Sequence, residues 1–216
     1  MALPVPCRFS GALRFGRHPA VPVLCIAIAL CGCSINLGSL SLGSESAPRP
    51  APAETSVNEA QTHAARGQTL ARSGKTEEAL SEFGQAIALD PNNAQALYGR
   101  GLLYQGERQH QLAVDDFTAA NGLTPQRAEP LLGRAISYLA LDKAKEAAAD
   151  LDEAVQADPQ NAQIWVTRGL AYERLGDKAK AADSYGRAVG LRPKDEAARS
   201  GFARVGGKPG QSGDTY

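Results

Sequence analysis

Four prolines, Pro91, Pro125, Pro159 and Pro193, stand 34 residues apart along this 216-residue chain. Alanines keep the same step at Ala79, Ala113, Ala147 and Ala181, and again at Ala86, Ala120, Ala154 and Ala188. A large residue recurs at Phe83, Phe117, Leu151 and Tyr185, another at Leu70, Tyr104, Tyr138 and Tyr172, and a small one at Gly67, Gly101, Ala135 and Gly169. One phase shared by so many positions means a unit built four times, and such a unit buries its apolar face only by stacking on its neighbours. Aromatic residues make up only 6% of the chain, and its apolar content is rich in Ala, which favours packed helices over strands.

The period and its content resemble the tetratricopeptide repeat. The fourth copy carries the likeness best, through Trp165, Gly169, Tyr172, Ala181, Tyr185, Ala188 and Pro193; Arg66, Arg100, Arg134 and Arg168 stand where the family has Leu before the small residue. The resemblance covers residues 60–195 and implies an all-α superhelical solenoid of four helix-turn-helix repeats, at 60–93, 94–127, 128–161 and 162–195. Gly74, Gly106, Asp142 and Gly176 mark the expected turns within the repeats, and proline ends each second helix because it lacks an N–H and restricts the residue before it. After Pro193, Asp195 can cap a helix over 196–205, with Ala198, Phe202 and Val205 toward the last repeat and Arg199 and Arg204 toward water. Residues 206–216 read as a disordered tail.

Solenoids of this family bind peptides or protein surfaces along the concave face of their first helices. Transferring the family's groove positions selects Gln61, Ala64 and Gln68, then Gln95, Tyr98, Leu102 and Gln105, then Glu129, Leu132, Ile136 and Leu139, then Gln163, Val166, Leu170 and Glu173. The Lys, Arg and Asn set with which the chaperone-adaptor branch reads a terminal carboxylate is absent from these places. The resemblance therefore implies an apolar protein-binding groove of Tyr98, Leu102, Leu132, Ile136, Leu139, Val166 and Leu170 inside a polar rim, suited to an amphipathic helix or an extended peptide. Some of these residues can equally pack between adjacent first helices.

The start of the chain has another character. Arg8, Arg14 and Arg17 precede an apolar run from about Ala20 to Leu30, too short for the roughly 20 residues a spanning helix needs. Leu30-Cys31-Gly32-Cys33 resembles the bacterial lipobox, which implies a signal peptide over 1–32 and a diacylglycerol on Cys33. Several acyl chains would anchor the protein stably. Cys31 departs from the usual Ala, Ser or Thr, and Ala27-Ile28-Ala29 offers a competing cleavage site that would release a soluble periplasmic protein. Ser34 and Ile35, with no Asp among them, favour the outer membrane, facing the periplasm, by the same analogy. Residues 33–59, rich in Ser, Pro, Gly and Ala, read as a flexible tether.

Chemistry is hard to place in the remainder. All four cysteines lie by residue 33, and only His63 and His110 follow, so thiol catalysis, Cys-based metal sites and a Ser/His/Asp triad are excluded from the folded part. No cofactor is implied. The 23 basic and 23 acidic groups balance, which argues against a nucleic-acid partner. Glu82, Asp116 and Asp150 follow Arg66, Arg100 and Arg134 by sixteen residues, as a ladder of intra-repeat ion pairs would; Ser184 breaks it in the fourth copy and leaves Arg168 without its acid. The expected protein is a non-enzymatic scaffold for assembly of an envelope complex, resembling in layout the pilotins and Flp/Tad-type pilus assembly lipoproteins. The alternatives are an adaptor that presents an envelope protease or peptidoglycan hydrolase to its substrate and, remotely, an enzyme of cell-wall chemistry.

Overall fold

The computed structural model describes residues 52–207, which form an all-α stack. The helices are α1 (Pro52–Arg72), α2 (Thr76–Leu89), α3 (Ala94–Gly106), α4 (His110–Leu123), α5 (Ala128–Ala140), α6 (Ala144–Ala157), α7 (Ala162–Arg174), α8 (Lys178–Leu191) and α9 (Glu196–Arg204). Each first helix (α1, α3, α5, α7) packs on the second helix that follows it, and then on the first helix of the next repeat. Second helices make no such contact with one another among the described residues. Chains of first helices therefore form the inner layer and second helices the outer ridges of an α-solenoid.

Local sequence sets the boundaries. The second helices close at Asp90, Thr124, Asp158 and Arg192, whose N–H groups reach back to Ala86, Ala120, Ala154 and Ala188, and the periodic proline comes next in the chain. Asn93, Asn161 and Asp195 accept hydrogen bonds from the first N–H groups of α3, α7 and α9, satisfying donors that a helix start otherwise leaves open. Within the repeats the chain turns at Gly74, Arg108, Asp142 and Gly176, all with positive φ between 57° and 77°. The expected turn marker Gly106 is instead the last residue of α3. Arg108 takes the left-handed turn position, at a cost of roughly 1–2 kcal/mol that a glycine there would avoid.

The wedge between repeats is filled by one large side chain held between two first helices. A methyl group added at Gly67 or Gly99 would lie 2.9 or 2.5 Å from the Phe83 ring; at Gly101 or Gly133 it would lie 2.9 or 2.7 Å from Phe117. Gly169 and Gly201 hold Tyr185 in the same way, at 2.7 and 2.5 Å. In the third copy the large residue is Leu151, and its two partners by phase are Ala135 and Thr167. A smaller knob is matched by larger walls, so all four wedges close: Phe83, Phe117, Leu151 and Tyr185 are at most 1% exposed. The eight periodic alanines at the helix-pair contacts are all fully buried.

Ion pairs rivet the pairs from outside. Arg100 holds Asp116 through two hydrogen bonds of 2.8 and 2.7 Å, and Arg134 holds Asp150 at 2.7 and 2.8 Å. Two-point contacts of this kind fix both charges in half-buried sites. The first copy differs from expectation, because Glu82 accepts from His63 at 2.7 Å rather than from Arg66. Arg168, whose repeat has Ser184 in place of the ladder acid, donates to Asp152 of the preceding repeat at 2.7 Å and to Ser184 at 2.7 Å, has Asp183 at 3.8 Å, and lies over the Trp165 and Tyr172 rings. Sequence spacing alone could not find that partner, since it comes from the other neighbour.

Both ends are finished with polar faces. Helix α1 begins at Pro52, so residues 52–59, expected in the flexible tether, add two turns ahead of the first repeat. Proline suits a first helical position, having no donor to satisfy there. On the open side of α1 the Thr62 and Thr69 hydroxyls bond back to the carbonyls of Asn58 and Ala65. At the other end α9 seals the last wedge with Ala198 and Gly201, and Phe202 lies 3.4 Å from a methyl position at Gly186. Arg199 is exposed as expected; Arg204 is not turned to water alone but donates twice to Glu173, at 2.9 Å each. The expected attachment residue Cys33 and signal segment lie outside the described residues, as does most of the tail.

Candidate functional site

The expected groove positions form four rows along the first helices. The outermost row, Gln61, Gln95, Glu129 and Gln163, is exposed throughout. The next contains Ala64, which is buried, then Tyr98, Leu132 and Val166, which are half-buried. The third contains Gln68, Leu102, Ile136 and Leu170; Leu102 is 42% exposed and the other three are half-buried.

The fourth row is not a groove position. Leu139, expected among the binding residues, is only 5% exposed and belongs to the central apolar core. Its counterparts serve as clasps between adjacent first helices. Gln105 donates from Nε2 to the Gly133 carbonyl and the Ser137 hydroxyl, both at 2.8 Å, joining α3 to α5. Arg174 of α7 donates to the Leu139 carbonyl, and Glu173 holds Arg204 of α9 and accepts from the Tyr185 hydroxyl at 2.7 Å. In the last turns of α3, α5 and α7 these side chains are engaged by neighbouring helices or the core. The hydrogen bonds from Arg204 hold the Glu173 carboxyl below its ordinary range.

What remains is an apolar strip of Tyr98, Leu102, Leu132, Ile136, Val166 and Leu170 across α3, α5 and α7. Three of these, Leu132, Val166 and Leu170, also pack on the core beneath, so both expected roles meet in one side chain. Tyr98 sits 5.7 Å from the Phe117 ring, centroid to centroid, and burial followed by the Glu129 charge pushes its hydroxyl above the usual phenol range. The hydroxyl therefore stays protonated and offers a donor. Beside it a cleft of about 350 Å³ is lined by Gln68, Gln95, Tyr98, Thr124, Arg127 and Glu129. Arg127 is tied to Glu129 at 3.0 Å, so the charges bordering the strip are matched in pairs.

This arrangement offers donors, acceptors and half-exposed apolar anchors. Among the described residues no group of three or more His, Cys, Asp or Glu side chains is placed to hold a metal, and no helix is long and apolar enough to cross a membrane. His63 is engaged by Glu82, and His110 opens α4 with its Nδ1 buried and unpaired.

The chain resembles known proteins in the same terms. Residues 67–106 match a family model described as TPR repeat, and residues 132–196 match one described as tetratricopeptide repeat. No curated protein matches the chain. Among solved structures it is similar to MamA protein, at 19% identity and a TM-score of 0.65 over 68% of this chain and 81% of that one. YrrB, described as a TPR protein with an unusual peptide-binding site, is 19% identical with a TM-score of 0.63 over 72% and 82% of the two chains. The first TPR of Spaghetti (RPAP3), bound to the HSP90 peptide SRMEEVD, is 24% identical with a TM-score of 0.52 over 54% and 92%. Repeat period, paired helices, glycine-walled wedges and these matches agree: residues 67–106 and 132–196 are tetratricopeptide repeats within a solenoid of that fold.

Proposed function

We propose that this protein is a non-enzymatic scaffold that grips a protein segment along its inner face. The observation that carries the reading is the half-exposed apolar strip, crossing three adjacent first helices at Leu102, Ile136 and Leu170. Apolar anchors ringed by paired charges match the make-up of a binding core with a polar rim. The peptide bound by the Spaghetti repeat and the peptide-binding site described for YrrB support a segment, rather than a small molecule, as occupant. Because the bordering charges are neutralised within the chain, the strip favours an uncharged apolar stretch over an acidic terminus.

Leu102 and Ile136 are the residues to change. Replacing both with Glu is expected to leave the helical circular dichroism spectrum intact and to weaken partner binding by about 2 kcal/mol or more, roughly thirtyfold, since a few desolvated anchors dominate such interfaces. A folded variant that keeps its partner at parental affinity would remove the inner face from consideration.

The setting is proposed on the N-terminal sequence. Leu30-Cys31-Gly32-Cys33 supports a lipid anchor on Cys33, which would hold the solenoid at a bacterial envelope membrane, facing the periplasm, where it would assist assembly of a multi-protein complex of pilus or secretin type. An adaptor for an envelope protease or peptidoglycan hydrolase uses the same groove and anchor. Cys33→Ser is expected to abolish palmitate labelling in bacterial cells and to shift the protein from the membrane to the soluble fraction. Labelling that survives the substitution, or a mature chain starting at Leu30, would overturn the anchor.

A further inference from the structure

The outer layer changes sign between the third and fourth repeats, at matched positions. Glu146, Glu153 and Asp158 on and just after α6 correspond, 34 residues on, to Lys180, Arg187 and Arg192 on and just after α8. Residues seven apart on a helix share a face and lie about 10 Å apart. Glu146 with Glu153, and Lys180 with Arg187, therefore make two charged rows of equal spacing on neighbouring outer ridges. Among the described residues neither Glu146 nor Glu153 forms an ion pair; the Glu153 charge acts on Arg134 without contact. Arg192 is exposed and likewise unpaired.

The basic row is held out ready. Lys180 lies over the Tyr172 ring at 4.8 Å, and Arg187 over the Trp165 ring at 5.1 Å. Each also has an acid on its own helix or cap, Asp177 at 3.8 Å and Asp183 at 3.3 Å, yet their side chains stay 57% and 52% exposed. The rings and acids hold the charged heads themselves in place while leaving them partly open, which lowers the entropy lost when a second charge docks.

From this pattern we propose that the outer face of repeats three and four is a contact surface for a second copy of the chain. Helices α6 and α8 occupy the same place in successive repeats and run in the same direction. A two-fold axis lying between them and parallel to both would set α6 of one copy over α8 of the other, and the reverse, in a single register. Glu146 then faces Lys180 of the second copy, Glu153 faces Arg187 and Asp158 faces Arg192, each pair occurring twice, as an isologous contact requires. Of the other second helices, α4 has Leu112, Ala119 and Thr124 at these positions, which carry no charge, and α2 has Glu78, Gln85 and Asp90, of which Glu78 is already paired with Lys75 at 3.0 Å. Because surface charges supply specificity and rate more than strength, the dimer is weak, with a dissociation constant on the order of 10–100 µM. The inference is independent of what occupies the inner face.

Sedimentation velocity of the full chain in mild detergent tests it, using two variants. Glu146→Lys with Glu153→Lys makes both rows basic; Lys180→Glu with Arg187→Glu makes both acidic. The parent is expected to dimerise, with affinity falling about tenfold or more as salt rises from low to several times physiological. Each variant alone should be monomeric, and their equimolar mixture should recover the dimer, because an all-acidic face meets an all-basic one. Circular dichroism confirms that both variants are folded. A parent that stays monomeric, or association unchanged in either variant, overturns the proposal. A monomeric parent that binds vesicles containing about one-third phosphatidylglycerol, and loses this with Lys180→Glu and Arg187→Glu, would assign the basic ridge to an anionic lipid surface instead.

Discussion

Truncating Phe117 to alanine is expected to destabilise the protein by about 3–5 kcal/mol, read as a lower urea midpoint. The ring is fully buried and lies against both Gly101 and Gly133, so its loss empties a wedge whose walls are backbone and cannot collapse inward. The same geometry predicts the reverse lesion. Gly133→Ala places a methyl group 2.7 Å from the ring tip, and overpacking of this kind costs about 1–3 kcal/mol. The third repeat shows how the conflict resolves, because Ala135 and Thr167 flank a leucine there. Grafting that trio as Gly101→Ala, Phe117→Leu and Gly133→Thr should recover most of the stability that its single changes lose. Such strong coupling is the mark of side chains sharing one wedge. A triple variant as unstable as the summed singles would mean that ring and wall are not matched.

Ala147→Glu carries the other large effect. Ala147 is fully buried where α6 meets α5, and the nearest ladder cation, Arg134, is already held by both oxygens of Asp150. A carboxylate there has no partner and no room, so the loss should reach at least about 3 kcal/mol. For a domain of this size that lowers the melting temperature by roughly 6–12 °C. Ala149→Glu, two residues on and exposed, is the control and should stay within about 0.5 kcal/mol of the parent. Equal melting temperatures for the two variants would contradict the assignment of the buried face of α6.

The two Arg-to-acid expectations that held, Arg100 with Asp116 and Arg134 with Asp150, were legible because both partners sit on one helix pair and recur with the period. Those that failed involve the ends or the neighbour. His63 replaces a large apolar residue in the first copy and captures Glu82; Ser184 removes an acid in the fourth, and Arg168 turns to Asp152 across the repeat boundary. Glycines at 99, 133 and 201 went unread for a related reason. Each serves the large residue of the repeat before it, and their period is interrupted by Thr167.

Sequence alone determined the helices, their pairing and the four-repeat stack, because one unit repeated at 34 residues leaves a single way to bury its alanines and its large residue. It also placed the inner face, since that follows from repeat phase. Which inner side chains remain open was decided only by tertiary structure. Phase puts Leu139, Gln105 and Glu173 on the same face as Leu102 and Ile136, but the turn of each repeat against the next brings that last row onto its neighbour. Exposure depends on the angle and distance between successive repeats, which the sum of many wedge contacts sets and no single position encodes.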